Sequence, residues 1–196
     1  MLDGSNSINP YYFPYGDDQE PMVEIVDLLG IDSDGAMNTF TFLETMQSLA
    51  GAVLVNWETV NIDASNVTLT DGTLITGNDT GYGLFLKNSA TLNSPATLAL
   101  IGNVDIDASS TLNLNLGGDI IGHVTNAGLI YWQNLNHTLK ISGNYVGIAG
   151  SNISLETVLG DDTSLTDKMH VTSIPAVAVG MGMAVTTTGN TCQGRS

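Results

Sequence analysis

The sequence predicts an all-β protein folded as a right-handed parallel β-helix, that is, a β-solenoid, with an irregular segment at its N-terminal end. Composition, short alternating segments and an internal repeat predict this class. The 196 residues include 22 Thr, 18 Asn, 15 Ser and 22 Gly, which favour strands and turns over helices. Only 12% are charged while 42% are apolar, so the chain can bury a core and does not resemble an acidic disordered tail.

Short apolar alternations recur from about residue 52 and indicate strands. They are separated by pairs such as Asp-Gly, Lys-Asn, Gly-Asn and Gly-Gly, which are typical of tight turns. A period of two residues puts alternate side chains on opposite faces of a strand. The segments are residues 67–70, 84–86, 97–101, 112–116 and 138–141.

An internal repeat decides between the two all-β architectures that these strands allow. Val-Asn-Ile-Asp-Ala-Ser at residues 60–65 returns as Val-Asp-Ile-Asp-Ala-Ser at residues 104–109, and residues 83–89 keep the same alternation near the midpoint. The offset of 44 residues, or twice 22, indicates a solenoid and disfavours the alternative, a β-sandwich made of hairpins. We expect the following side chains to point inward: Val60, Ile62, Val104 and Ile106. We expect these to point outward: Asn61, Asp63, Asp105 and Asp107.

Three regions follow from these patterns. Residues 1–51 are predicted to be irregular or mixed, or an incomplete rung, with strand-like alternation at 39–43 and a possible helical turn at 44–50. Residues 52–190 are predicted to form the rungs, and residues 191–196 a disordered tail. The sequence leaves open whether residues 1–51 join the stack.

Charge and cysteine content exclude several classes of protein. Four Lys and Arg against twenty Asp and Glu leave a net charge of −16, so a phosphate-binding face for nucleic acid is excluded and anionic membranes are disfavoured. One cysteine, Cys192, excludes an internal disulfide framework. The sequence contains no apolar run long enough for a membrane helix. We expect no catalytic residue, no metal and no cofactor.

A family resemblance rests on three segments, at residues 122–130, 139–147 and 153–171. They contain a Gly-Asn-Tyr strand, a strand ending in Leu-Gly, and the pattern Asp-x-Ser-x-Thr-Asp-Lys. The motif residues are Gly143, Asn144, Tyr145, Leu159, Gly160, Asp161, Asp162, Ser164, Thr166, Asp167 and Lys168. Residues 160–164 suit a tight polar turn, and capping a turn is the role expected for Asp167. The stretch resembles the passenger domain of bacterial type V autotransporters, the pertactin-like β-helix.

Over residues 120–172 the resemblance rests on specific motifs. Over residues 52–119 it rests only on the general pattern of the sequence. It implies a C-terminal passenger fragment at the cell surface, at the outer membrane or outside the cell, with a role in virulence. The chain shows neither the signal peptide nor the translocator barrel of that family, so we expect a natural truncation, a frameshifted remnant or an artificial boundary. The implied function is adhesion, self-association or a stalk, with a host-cell or bacterial surface ligand as partner and no membrane insertion by this part.

A carbohydrate-active β-helix enzyme, a polysaccharide lyase or hydrolase, is the alternative. Asp105 and Asp107 lie two residues apart on one side of a predicted strand, and a stacked Asp63 would join them. Carboxylates grouped in this way can bind Ca²⁺ or perform acid–base chemistry. A solvated surface is the more common role for such residues, and we expect no basic residue nearby, which weakens a lyase mechanism.

Overall fold

The computed structural model describes residues 2–3, 38–158, 164–173, 177–178 and 182–187. Regular structure in these ranges is β-strand except for one 3-10 turn, Gly51–Val53. The strands are β1 (Leu2–Asp3), β2 (Thr39–Leu43), β3 (Met46–Leu49), β4 (Leu54–Val55), β5 (Thr59–Asp63), β6 (Asn66–Leu69), β7 (Thr73–Ile75), β8 (Gly83–Lys87), β9 (Thr91–Ser94), β10 (Leu98–Ile101), β11 (Val104–Ile106), β12 (Thr111–Leu114), β13 (Gly118–Ile121), β14 (Val124–Asn126), β15 (Leu129–Trp132), β16 (Thr138–Ile141), β17 (Tyr145–Gly147), β18 (Asn152–Thr157), β19 (Lys168–Val171), β20 (Val177–Ala178) and β21 (Gly182–Thr187).

Three parallel sheets form the faces of a solenoid of about six turns. The first face runs β2-β5-β8-β11-β14-β17-β20, the second β3-β6-β9-β12-β15-β18-β21 and the third β7-β10-β13-β16-β19. A hairpin makes antiparallel pairs, whereas every pair of named strands here is parallel, and β1 also pairs parallel with β4. The predicted β-solenoid is therefore confirmed and the sandwich is rejected.

Rung length is regular except at two places. Along the first face, paired residues are 20 positions apart from 39 to 59, from 84 to 104 and from 104 to 124, and 21 apart from 124 to 145. The two exceptions are 24 positions, from 60 to 84, and 31 positions, from 146 to 177. The internal repeat is thus two rungs apart, because Val60 pairs with Leu84 and Leu84 with Val104. In solenoids, extra residues within a repeat map to loops on one face.

The predicted inward and outward positions around the repeat are confirmed. Val60, Ile62, Val104 and Ile106 are buried, and Asn61, Asp63, Asp105 and Asp107 are partly or fully exposed. Stacking such inward positions at the strand spacing of about 4.8 Å makes one continuous apolar core from Phe40 to Ile153. Outward asparagines also stack, since Asn113 Nδ2 donates to Asn93 Oδ1 at 2.9 Å.

The stack starts earlier than residue 52. Strands β2 and β3 pair in register with β5 and β6, so residues 39–49 belong to the solenoid. The helical turn considered for residues 44–50 is wrong, because Met46–Leu49 pairs with the next rung and this pairing outweighs local preference. The rest of the N-terminal segment, residues 4–37, and the tail at 191–196 lie outside the described residues.

One corner, between the third and first faces, is built from stacked glycines. A Cβ added to Gly122 would overlap the carbonyl oxygen of Gly102, and one added to Gly143 would overlap that of Gly122. The residues that follow these glycines are Asn103, His123 and Asn144. We call Gly102, Gly122 and Gly143 the glycine corner.

Candidate ligand-binding cleft

A cleft of about 290 Å³ opens on the outer side of the first face. It lies beside the longest of the connections that lead from the third face to the first: eight residues lie between Ile75 and Leu84, whereas two lie between Ile101 and Val104. The residues that line the cleft include Tyr82, Phe85, Asn103, Asp105, His123 and Thr125. The first break in rung length therefore creates a concave site.

Hydrogen bonds from Asn103 and close packing at Gly77 hold the loop at residues 77–82 in place. Asn103 Nδ2 donates to the carbonyl oxygens of Asp79, at 3.0 Å, and Tyr82, at 3.4 Å. A Cβ on Gly77 would lie 2.6 Å from Cβ of Tyr82, so Tyr82 packs closely because residue 77 is glycine. These contacts position Tyr82 as one wall of the cleft.

The floor is a column of outward side chains from successive rungs. Phe85 pairs with Asp105, and Asp105 with Thr125. Lys87 Nζ lies 4.8 Å from the centroid of the Phe85 ring and donates to Asn61 Oδ1 at 3.0 Å. The expectation of no basic residue near these aspartates is wrong, because rung stacking pairs Lys87 with Asp63 and brings its charge close to Asp105.

His123 lies on the corner next to the cleft. Its backbone N–H donates to Asn103 Oδ1 at 3.0 Å, and its Nδ1 accepts the backbone N–H of Asn144 at 2.9 Å. An accepting Nδ1 requires the neutral tautomer that carries its proton on Nε2. Nε2 is then the donor of the His123 ring, and His123 is one of the residues that line the cleft.

Several polar groups of the cleft have no hydrogen-bond partner among the described residues: the Asp105 carboxylate, the Tyr82 hydroxyl, His123 Nε2 and the Thr125 hydroxyl. Elsewhere on the same face, polar side chains form hydrogen bonds with one another; Asn61 Nδ2, for example, donates to Thr41 Oγ1 at 3.3 Å. The cleft thus concentrates unused donors and acceptors beside two aromatic rings.

The electrostatics distinguish Asp105 from its neighbours. Partial burial raises the pKa of Asp105, the nearby Lys87 acts to lower it, and Asp107 acts to raise it. The net effect of burial and neighbouring charge keeps its pKa above the ordinary value. Among the three aspartates of the predicted acidic cluster, only Asp105 lines the cleft.

Asp63 and Asp107 are engaged in local structure. Asp63 Oδ1 accepts Nδ2 of Asn88 at 2.7 Å, and Asp107 accepts the N–H of Asn88 at 2.6 Å and of Ser109 at 2.9 Å. Burial acts to raise the pKa of Asp107, but hydrogen bonds from Ser110, Asn88 and Ser109 outweigh it, and the pKa is lowered. In the described ranges, no group of three or more His, Cys, Asp or Glu side chains is arranged to hold a metal ion.

The motif residues of the family resemblance take structural positions. Gly143 belongs to the glycine corner, and Asn144 Oδ1 accepts the Ser173 hydroxyl at 2.9 Å. Tyr145 is buried, and its hydroxyl accepts Nδ2 of Asn126 at 3.1 Å from the preceding rung. Asn126 is itself buried, so this tyrosine satisfies a polar group inside the core.

The second half of the motif lies within the longest rung, which runs from residue 146 to residue 177. Asp167 is buried, and its carboxylate accepts the backbone N–H groups of His137, at 3.0 Å, and Glu156, at 2.9 Å. These bonds connect two rungs, and the turn that Asp167 is predicted to cap, residues 160–164, lies mostly outside the described residues. Thr166 forms an antiparallel bridge with Thr157, and Lys168 begins β19. Ser164 is partly buried, and Leu159, Gly160, Asp161 and Asp162 lie outside the described residues.

Sequence reasoning missed Tyr82, Asn103, His123 and Thr125 as residues of one site. A signal was present, because Gly-Asn-Val at 102–104, Gly-His-Val at 122–124 and Gly-Asn-Tyr at 143–145 recur at the rung spacing. Aligning those triplets identifies the corner and shows that residues 77–82 interrupt it.

No helix in the described part of the chain has the length and apolar character needed to cross a membrane. We compared the chain with models of known protein families, with curated proteins and with solved structures, and none of the three comparisons found a match.

Proposed function

We propose that this chain is a non-enzymatic part of an autotransporter-like passenger that acts at a cell surface as a ligand-binding module. Two observations support the family: the motif over residues 120–172 that resembles such passengers, and a parallel solenoid in which the described motif residues have defined structural roles. Solenoid rungs contact mainly their neighbours, so such a domain can fold rung upon rung after export without ATP.

The observation that carries the binding role is the cleft. A stalk needs only regular rungs. Here the connection at residues 77–82 is lengthened and creates a concave site. The site combines aromatic rings with polar groups that have no partner among the described residues. Concave sites with a few convergent polar groups are the usual form of small-ligand sites.

Adhesion of coated beads tests the proposal. Thr125→Arg places a long side chain in the cleft, and Thr111→Arg makes the same change at an outward position of the second face. We expect beads carrying the wild-type chain or Thr111→Arg to bind cells and beads carrying Thr125→Arg to lose binding. Absence of binding by wild-type beads would favour a stalk, and clumping of beads without cells would favour self-association.

The carbohydrate-active enzyme remains the second candidate because Asp105 lies in a cleft. A hydrolase of this kind needs two carboxylates flanking the bond, and the carboxylates of Asp63 and Asp107 are held by local hydrogen bonds. Incubating the wild-type chain and Asp105→Asn with a polysaccharide panel tests it. New reducing ends or unsaturated sugars from the wild-type chain alone would contradict the non-enzymatic proposal.

A further inference from the structure

The geometry points to a neutral saccharide as the ligand of the cleft formed by Tyr82, Phe85, Asp105, His123 and Thr125. This inference rests on the proposed binding function and names the chemical class of its ligand. It is carried by the ring surfaces, the hydrogen-bonding pattern and the charge of this one site.

The aromatic rings suit the apolar faces of a sugar ring. Tyr82 and Phe85 are each partly buried and partly exposed at the cleft. An aromatic ring that is fixed by its surroundings gives contact area at low entropic cost. Tyr82 is fixed against Gly77, and Phe85 lies under Lys87, so both rings are positioned before any ligand binds.

The polar groups match vicinal hydroxyls, each of which both donates and accepts a hydrogen bond. Asp105 offers two acceptor oxygens and His123 Nε2 offers a donor, while the hydroxyls of Tyr82 and Thr125 do either. Asp105 and Thr125 stand one rung apart, about 4.8 Å along the stack. A ligand with hydroxyls along its length can therefore contact successive rungs.

The charge of the site disfavours acidic sugars and nucleotides. Asp105 is the acidic group of the lining, and the amine of Lys87 is already used by Asn61 and the Phe85 ring. The whole chain carries −16, which repels an anion as it approaches. A volume of about 290 Å³ is at the small end of ligand sites and fits one or two sugar rings.

Calorimetric titration and a glycan array test the inference. The probes are glucose, galactose, mannose, N-acetylglucosamine and their neutral disaccharides, with galacturonate as the acidic comparison. We expect at least one neutral probe to bind the wild-type chain and Asp119→Asn equally. Asp119 is the matched control because it is an exposed outward aspartate beside a lysine, with 3.9 Å between Lys140 Nζ and Asp119 Oδ1.

We expect Asp105→Asn to weaken binding about 10-fold or more, because hydrogen bonds to a charged group are stronger than those to a neutral one. We expect Tyr82→Ala to weaken binding similarly. Thermal unfolding of each variant controls for folding. Equal binding by both cleft variants, tighter binding of galacturonate, or no binding of any neutral probe would overturn the inference. If beads still adhere to cells through the cleft in that case, the binding function stands and only the saccharide class is wrong.

Discussion

Tyr145 shows how one residue of the Gly-Asn-Tyr triplet serves the core. It occupies the inward position that Val124 and Val104 occupy in earlier rungs. Its extra hydroxyl reaches Asn126, whose Oδ1 also accepts the N–H of Gly128 at 3.0 Å. A buried asparagine is tolerated here because its neighbours supply hydrogen bonds.

Replacing Tyr145 by Phe removes that hydroxyl and keeps the ring. We expect a loss of about 1 kcal/mol in the free energy of unfolding, the usual contribution of one buried hydrogen bond, measured by denaturant titration. Burial raises the pKa of the Tyr145 phenol, while Asn126 acts to lower it. The unfolded phenol ionises first, so wild-type stability should fall above about pH 10 more steeply than that of Tyr145→Phe. Parallel curves would contradict this.

The pKa of Asp71 is shifted in the opposite direction to that of Tyr145, so Asp71 affects stability at the acid end of the pH range. It caps the 3-10 turn, accepting the N–H groups of Gly51 at 2.8 Å, Ala52 at 3.1 Å and Thr73 at 3.0 Å. Burial acts to raise the pKa of Asp71, but these backbone donors outweigh it, and the pKa is lowered. A lowered folded pKa contributes stability above the unfolded pKa that is lost as pH falls through the folded value.

We therefore expect the wild-type chain to lose more stability than Asp71→Asn between about pH 5 and about pH 3. Melting temperatures across that range measure the difference. The same loss in both proteins would show that Asp71 does not contribute to acid unfolding.

At the scale of elements, the corners control how closely rungs approach. The Cβ of an alanine at position 122 would overlap the backbone of Gly102. The Cβ of an alanine at position 150 would have no atom within 4 Å, but this alanine would have to adopt the φ of +92° that Gly150 has. We expect Gly122→Ala to cost about 2–3 kcal/mol from overlap and Gly150→Ala about 1 kcal/mol from backbone strain. Chemical denaturation of the two variants separates these causes, and an equal cost would contradict the close approach at the glycine corner.

The longest rung depends on Asp167. Its carboxylate joins His137 of the preceding rung to Glu156 of its own rung. Asp167→Ala leaves two backbone N–H groups without their acceptor, and we expect a loss of about 2–4 kcal/mol. Asp119→Ala, at an exposed position, should change stability by less than about 0.5 kcal/mol. Similar unfolding midpoints for the two variants would disprove this role in joining the rungs.

At the scale of the whole molecule, charge opposes compactness. With twenty acidic and four basic residues, repulsion among carboxylates destabilises the folded chain at low salt. Raising salt from about 0.01 M to about 0.5 M shortens the screening length several-fold, so we expect the melting temperature to rise. Sodium and potassium chloride should act alike, and a fall in melting temperature, or a response to one cation only, would contradict screening as the cause.

The sequence by itself determined the class of fold. Alternation of two residues and the repeat of Val-x-Ile-Asp-Ala-Ser predicted which side chains of residues 60–63 and 104–107 point inward, because both patterns are local and survive stacking. The Gly-Asn-Tyr triplet indicated a rung, although not that its tyrosine completes the hydrogen bonding of Asn126.

Only the tertiary structure decided the remaining features: the strand at Met46–Leu49, the place of Lys87 beside Asp105, and the cleft itself. Each depends on contacts between residues about 20 positions apart. Those contacts follow from register, and register changes wherever a rung gains residues, as at 77–82. The alternation within one strand carries no record of that shift; only the spacing of the glycine triplets does, and the cleft itself forms only once the rungs are stacked.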